Sequence, residues 1–165
     1  MENQQITQVI GQVINFWDSN NKNITAFFNR HADEIYAGQV APGRNSGIYL
    51  LAHLVAVSDG LLPILGLGEK IYPELETFVG ESETNIGYQP ELAELKAKWD
   101  AINVKLKAEF AKQTPEWWLA RHMSVSEADF ALDPNRNKLN VLLSRASHEN
   151  YHRGQLVFLT EQVQA

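Results

Sequence analysis

Residues 48–66 read IYLLAHLVAVSDGLLPILG. Nearly every position is apolar, so a helix built from this segment has no polar face to turn outward. Such a helix belongs at the centre of a fold, covered by its neighbours. Outward from it, the dominant period is helical. From Ile6 to Phe28 the residues Ile6, Val9, Ile10, Val13, Phe16, Trp17, Ile24, Phe27 and Phe28 recur mostly at three- and four-residue steps. The polar stretch DSNNKN (residues 18–23) is the weak point of this first helix and the place to expect a bend. Ala41-Pro42-Gly43 interrupts the chain, and Asn45 or Ser46 is placed to cap the central helix. Pro63 is expected to kink or end that helix, with Gly66 and Gly68 closing it.

Residues 66–89 mix Gly, Pro and polar side chains without a sustained period, which predicts a long connection holding one short helical turn. Pro90 suits the first position of a third helix whose face Leu92, Leu95, Trp99, Ile102, Leu106 and Phe110 turns inward. Thr114-Pro115 starts a short turn carrying Trp117 and Trp118, and Ser124 with Glu127 resembles a capping box for another. Asp133-Pro134 opens a last helix from about Asn135 to the C-terminus. Long helices without a strand pattern predict an all-α chain: one four-helix-bundle domain over 1–165, with one or two long crossovers.

The composition narrows the function. Apolar residues at 44% and charged residues at 21% describe an ordinary globular chain. The net charge of -6 and the lack of a Lys/Arg cluster argue against nucleic acid as a partner. The chain has no cysteine, which removes disulfides, thiolate metal sites and a cysteine nucleophile of its own. The first residues lack the basic and apolar regions of a signal peptide. No apolar run is read as approaching the roughly 18 to 20 residues of a membrane span. A cytoplasmic protein without a membrane partner is the expectation. Asp133, Asn135 and Asn137 start like a calcium loop, but Lys138 replaces its glycine and Ser144 its bidentate Glu.

His148-Glu149-Asn150-Tyr151-His152 matches H-E-x-x-H, the helix signature of zinc peptidases. Residues four apart share a helix face, so His148 and His152 form a chelate that lacks a third ligand. The peptidase reading fails on its surroundings. Glu161 lies about half a turn round the helix, Gly154 and Phe158 break the extended motif, and no strand pattern precedes it. Glu149 points about 100° away from His148. The third ligand must come from another helix, and His53 stands inside an apolar one. It is either a neutral core histidine bonded to a neighbour or a ligand aimed at the pair, which favours the second reading. His31 and His122 lie among polar and aromatic residues and are expected at the surface or at caps.

A histidine in NSGIYLLAHLVAVSD (residues 45–59), followed much later by HENYHRGQL (148–156), resembles the DinB/YfiT-like superfamily. The likeness covers nearly the whole chain, from the long first helix through the middle crossover to the final helix. It implies an up-down-down-up four-helix bundle, usually a homodimer, binding a divalent metal through three histidines. Carried over residue by residue, those ligands are His53, His148 and His152. It implies no DNA binding, in keeping with the acidic charge. Some branches are thiol-dependent transferases or isomerases using thiols such as bacillithiol or mycothiol, and the likeness selects no branch.

Three neutral histidines leave an open position on a divalent ion, zinc or nickel first and iron, manganese or copper next. Such a site activates water or a thiol cosubstrate against a small electrophile, as a transferase or hydrolase does. Gln155, one turn beyond His152, and Tyr49, one turn before His53, are the candidates to line the pocket. Gly154 inside a helix suggests a close helix approach, at a dimer interface for example. The competing expectation is a metal-binding dimer without turnover, serving in stress or interaction.

Overall fold

The structure, a computed structural model, describes residues 2–161, with side chains from 4 to 160. The side chain of Glu161 and the end of the chain expected to extend the last helix, residues 162–165, lie outside the described residues. Helix α1 runs unbroken over Glu2–Arg30. The expected bend at residues 18–23 does not occur, because those polar groups find partners inside the fold. The Asn20 amide donates to Ala146 O at 2.8 Å, and Asp18 pairs with Lys22 at 2.7 Å and Lys107 at 2.9 Å. Asn20 and Asn21 are buried. A segment that competes with helix when solvated becomes a helix seam once tertiary partners take its hydrogen bonds.

After a turn of 3-10 helix at Asp33–Ala37, the chain reverses through Gly43 (φ 71°) and enters α2, Gly47–Asp59. Ser46 caps α2, its Oγ accepting from Tyr49 N at 3.1 Å. Ser46 also donates from N and Oγ to the Glu83 carboxylate at 2.6 and 2.5 Å, which ties the helix start to the later crossover. Every residue of α2 except His53 is buried. Helix α2 stops one turn before Pro63, whose missing N–H would leave the Asp59 carbonyl unpaired, and the chain turns at Gly60 into α3, Leu61–Leu65. Gly66, at φ 75°, closes α3, with Leu67 N donating to Leu62 O at 2.8 Å and Gly66 N to Pro63 O at 3.1 Å.

One expectation about this segment is corrected. The stretch Gly47–Leu65 is 19 residues long with mean hydropathy 1.8, enough by length and composition to cross a membrane. Most of it is buried inside the fold, as the core helices α2 and α3.

The crossover holds more structure than the single turn expected: 3-10 turns at Pro73–Leu75 and Glu83–Asn85 flank α4, Thr77–Gly80. Leu75 and Phe78, both buried, pin it against α2. Helix α5, Leu92–Phe110, starts just after Pro90 because Glu91 is extended, and its predicted inward face is buried in full. Then follow α6, Pro115–Leu119, capped by Thr114, and α7, Glu127–Leu132. Ser126, not Ser124, caps α7, accepting from Asp129 N at 3.1 Å. Helix α8, Lys138–Leu156, begins beyond Asn135 because Asn137 takes the cap, and α9, Phe158–Glu161, follows a break at Val157. Helix α1 packs along α8 and α5, and α2 lies against α5 and α8. Among the described residues there is no strand, only isolated bridges between Gln39 and Ser46 and between Arg121 and Asn137.

Two glycines separate close packing from open space. A Cβ on Gly47 would stand 2.9 Å from Tyr36 O and 3.1 Å from Tyr36 Cα, backbone atoms that yield only if the 3-10 turn at Asp33–Ala37 and α2 separate. Gly47→Ala is therefore expected to cost about 1–3 kcal/mol in urea unfolding, despite the better helix former. Gly154, read from sequence as a sign of close helix approach, meets nothing within 4 Å in its own chain. Gly154→Ala is expected to stabilise the isolated chain by about 0.5–1 kcal/mol.

Candidate metal centre

The one residue of α2 that reaches beyond the core, His53, meets His148 and His152 of α8. The ring centroids stand 5.1 Å (53–148), 4.8 Å (53–152) and 4.4 Å (148–152) apart. His152 Nε2 lies 2.9 Å from His148 Nε2, which lies 3.3 Å from His53 Nε2. Nitrogens that share one ion at about 2.0 to 2.1 Å stand about 2.8 to 3.4 Å apart for angles between octahedral and tetrahedral. Both contacts fall within that window.

The opposite ring nitrogens decide what those Nε2 atoms carry. His53 Nδ1 is 2.7 Å from Phe78 O, and a carbonyl only accepts, so the proton sits on Nδ1. His152 Nδ1 is 2.8 Å from Gln155 Oε1, and the Gln155 amide in turn donates to Tyr151 Oη at 3.2 Å. Both Nε2 atoms therefore present lone pairs. A single proton on His148 Nε2 can satisfy only one of them, leaving the other contact lone pair against lone pair. A cation resolves that conflict, and outer-sphere partners of this kind orient metal-ligating imidazoles. Burial holds the rings neutral. It is the first cause that brings His148 down to about 4, with His152, His53 and Arg145 adding to it. Burial likewise lowers His53 and His152, against the opposing pull of the Phe78 and Gln155 hydrogen bonds. Neutral imidazole is the form that binds metal. The donor set fits a divalent ion.

Glu149 takes no part in this cluster. It is fully buried and faces α1, where the Asn21 amide, in the orientation that satisfies both its ends, donates to Glu149 Oε1 at 3.3 Å and accepts from Trp17 Nε1 at 3.3 Å. Burial pushes its carboxyl up to about 8, with Arg145 and Trp17 pulling the other way. The glutamate of the H-E-x-x-H string thus belongs to the α1–α8 interface. Glu149→Gln is expected to leave the metal content of the purified protein unchanged, as elemental analysis would register, whereas a peptidase-type base would require the acid.

The pocket candidates lie beside the histidines in supporting roles. Gln155 holds His152, with both ends of its amide engaged. Tyr49 stacks its ring on His53 at 6.3 Å, but its hydroxyl donates to Glu81 O at 2.6 Å. It lines a separate cavity of about 340 Å³ with Phe78, Glu83 and Tyr88. His31 packs on Phe27 at the end of α1, half exposed. Trp118 is core, and Trp117 is half-buried beneath Lys138 Nζ. His122 stays outside the three-histidine cluster, as expected, and lines a cleft of about 360 Å³ with Ile64, Asn140, Ser144, Arg145 and His148. Sequence reasoning also passed over Arg145 and the Phe78 carbonyl. Arg145 stands three residues before His148, on the face that the histidines occupy, and that spacing could have flagged it. The carbonyl leaves no trace in side-chain identity.

Comparison with curated proteins finds no match. The family model described as the DinB superfamily matches residues 17–156, a span that holds all three histidines, and the chain belongs to that superfamily.

Proposed function

We propose that this chain is a metal-dependent enzyme acting on a small molecule, with His53, His148 and His152 as the ligands of one divalent ion. The observation that carries the reading is the convergence of the Nε2 atoms of His53 and His152, both presenting lone pairs, on that of His148 at a spacing suited to one cation. When bound, the ion would acidify water or a thiol at its open position, as required of a transferase or hydrolase. The chain's own residues do the holding. Phe78 O and Gln155 fix two rings, α2 and α8 bring them together, and the cleft beside His148 admits a small guest. A low-molecular-weight thiol is the favoured cosubstrate, since the chain has no cysteine. Zinc or nickel is the favoured metal for three imidazoles.

In this reading the chain is a single domain in which α1, α2, α5 and α8 form an up-down-down-up four-helix bundle. The contacts of α1 with α8 and α5, and of α2 with α5 and α8, support it. A cytoplasmic protein without a membrane or nucleic-acid partner is part of the same proposal, supported by the buried apolar stretch and the net charge of -6. So is a homodimer. Exposed Leu143, Tyr151 and Phe158 on α8 and α9, beside the open Gly154, support it, and they equally favour the second reading, a metal-binding dimer without turnover.

The deciding experiment assays metal-loaded protein with low-molecular-weight thiols and small electrophiles, next to a His53→Ala variant. Turnover that disappears in the variant supports the enzyme. Metal binding with no turnover under any thiol and metal leaves the binding protein, and equal metal in both proteins removes the centre altogether.

A further inference from the structure

The cleft beside His148 holds a cation that no side chain pairs with directly, although the Glu149 carboxyl acts on it from a distance. Arg145 is half-buried, yet among the described residues it forms no ion pair and no hydrogen bond, and its Nε is buried without a partner. Glu149, one turn along the same helix, would be its natural mate on spacing alone. That carboxyl turns instead to Asn21 on α1, and no salt bridge forms. His122 Nδ1 and His148 Nδ1, in the same cleft, are likewise buried and unpartnered. Withdrawing a guanidinium from water without a directly paired carboxylate is costly, so folding alone gives little reason to keep one here.

Apart from Glu149, which opposes Arg145 from the α1–α8 seam, the charge acting around the cleft is basic. Arg121, Arg136 and Lys138 all lie near enough to His122 to hold its protonation down, after desolvation as the larger cause. Arg145 acts in the same sense on His53 and His148. No carboxylate lines the cleft. In a chain whose net charge is -6, the cleft beside the histidines is locally basic. A guanidinium presents a planar fork of donors that matches the two oxygens of a carboxylate or a phosphate.

We propose that this cleft is an oxyanion subsite, in which Arg145, together with His122, receives the carboxylate or phosphate of a small-molecule substrate and holds its remainder against the three histidines. The inference rests on reading those histidines as a metal centre that takes a small substrate, and its test can fail separately. A cavity of about 360 Å³ suits a compact metabolite. The oxyanion would pair with the terminal guanidinium nitrogens of Arg145, which have no protein partner, so binding satisfies a group that folding leaves unsatisfied.

The test is calorimetric titration of the purified protein with succinate and with inorganic phosphate, using the uncharged diamide succinamide as the control. The wild type should bind at least one of the two anions and not succinamide. Preference for succinate would mark a carboxylate substrate, and preference for phosphate a phosphate ester. Arg145→Met should weaken anion binding about 10- to 100-fold, Arg145→Lys less, and His122→Asn a few fold. Metal content should stay at wild-type values in each variant, and the melting temperature of Arg145→Met should not fall below that of the wild type. If Arg145→Met fails to fold, the loss of bidentate geometry in Arg145→Lys carries the test. Equal binding of succinate and succinamide, no anion binding by the wild type, or undiminished binding in the Arg145 variants overturns the proposal. A His53→Ala protein separates the two readings. Unchanged metal content there, with Arg145-dependent anion binding intact, removes the metal centre and keeps the subsite. Metal loss there, with no anion binding by the wild type, does the reverse.

Discussion

Purified beside the wild type, a His53→Ala protein is expected to lose stoichiometric metal, falling from about one ion per chain to a small residue. A site with one of three ligands gone keeps only the α8 pair, whose spacing alone does not close a coordination sphere. The stability readout separates this loss from unfolding. Metal that binds only the folded chain stabilises it by about 4 kcal/mol at a thousandfold excess over the dissociation constant. The wild type should therefore melt markedly higher with metal than with chelator, and the variant at one temperature in both. Without metal the variant should melt near the stripped wild type. Losing the Phe78 hydrogen bond costs about 1 kcal/mol, while removing one ring relieves the lone-pair crowding at 3.3 Å. Gln155→Ala offers a graded comparison, since losing the partner of His152 Nδ1 should weaken metal binding about 10- to 100-fold without abolishing it. Equal metal in His53→Ala and wild type would end the reading of a shared centre.

Trp99→Ala should produce the largest loss of stability among single core substitutions tested in α5. Trp99 is 2% exposed, sits midway along the buried face of that helix, and donates from Nε1 to Thr25 Oγ1 on α1 at 3.0 Å. Truncation leaves a cavity between the central helix and α1 and removes the hydrogen bond to Thr25, for about 3–5 kcal/mol. Folding stability of a domain this size is about 5–15 kcal/mol, so the urea midpoint should move far toward zero, with the slope unchanged. Trp117→Ala is the control. That ring is half-buried under Lys138 Nζ, and its loss should cost about 1 kcal/mol. A Trp117 effect as large as that of Trp99 would contradict the packing described.

Which features could be read from the sequence follows from where their information resides. The inward face of α5 and the apolar wrap of α2 are periodic properties of side chains. A helix expresses them whatever surrounds it, and every residue predicted for the α5 face is buried. The chelating spacing of His148 and His152 is equally local, since one turn of helix sets it. Polar segments behave otherwise. Residues 18–23 carry a turn signal in isolation and become unbroken helix because Ala146 O and Lys107, remote in sequence, take their hydrogen bonds. Ser124 and Ser126 compete for one cap, and only the path of the chain awards it to Ser126.

By itself, then, the sequence determined the helical class, the buried face of α5, the family and the His148–His152 pair, while Val9 and Phe16 of the face read for α1 are exposed. These depend on residue type and short spacing alone. Only the tertiary structure decided that His53 stands 3.3 Å from His148, that Phe78 O and Gln155 turn two lone pairs toward the third ring, that Glu149 faces α1 and that Arg145 stays unpaired in the cleft. Each of these is a meeting between segments far apart in sequence, or a bond made by a backbone atom. Such contacts are settled by packing, which no window of neighbouring residues contains.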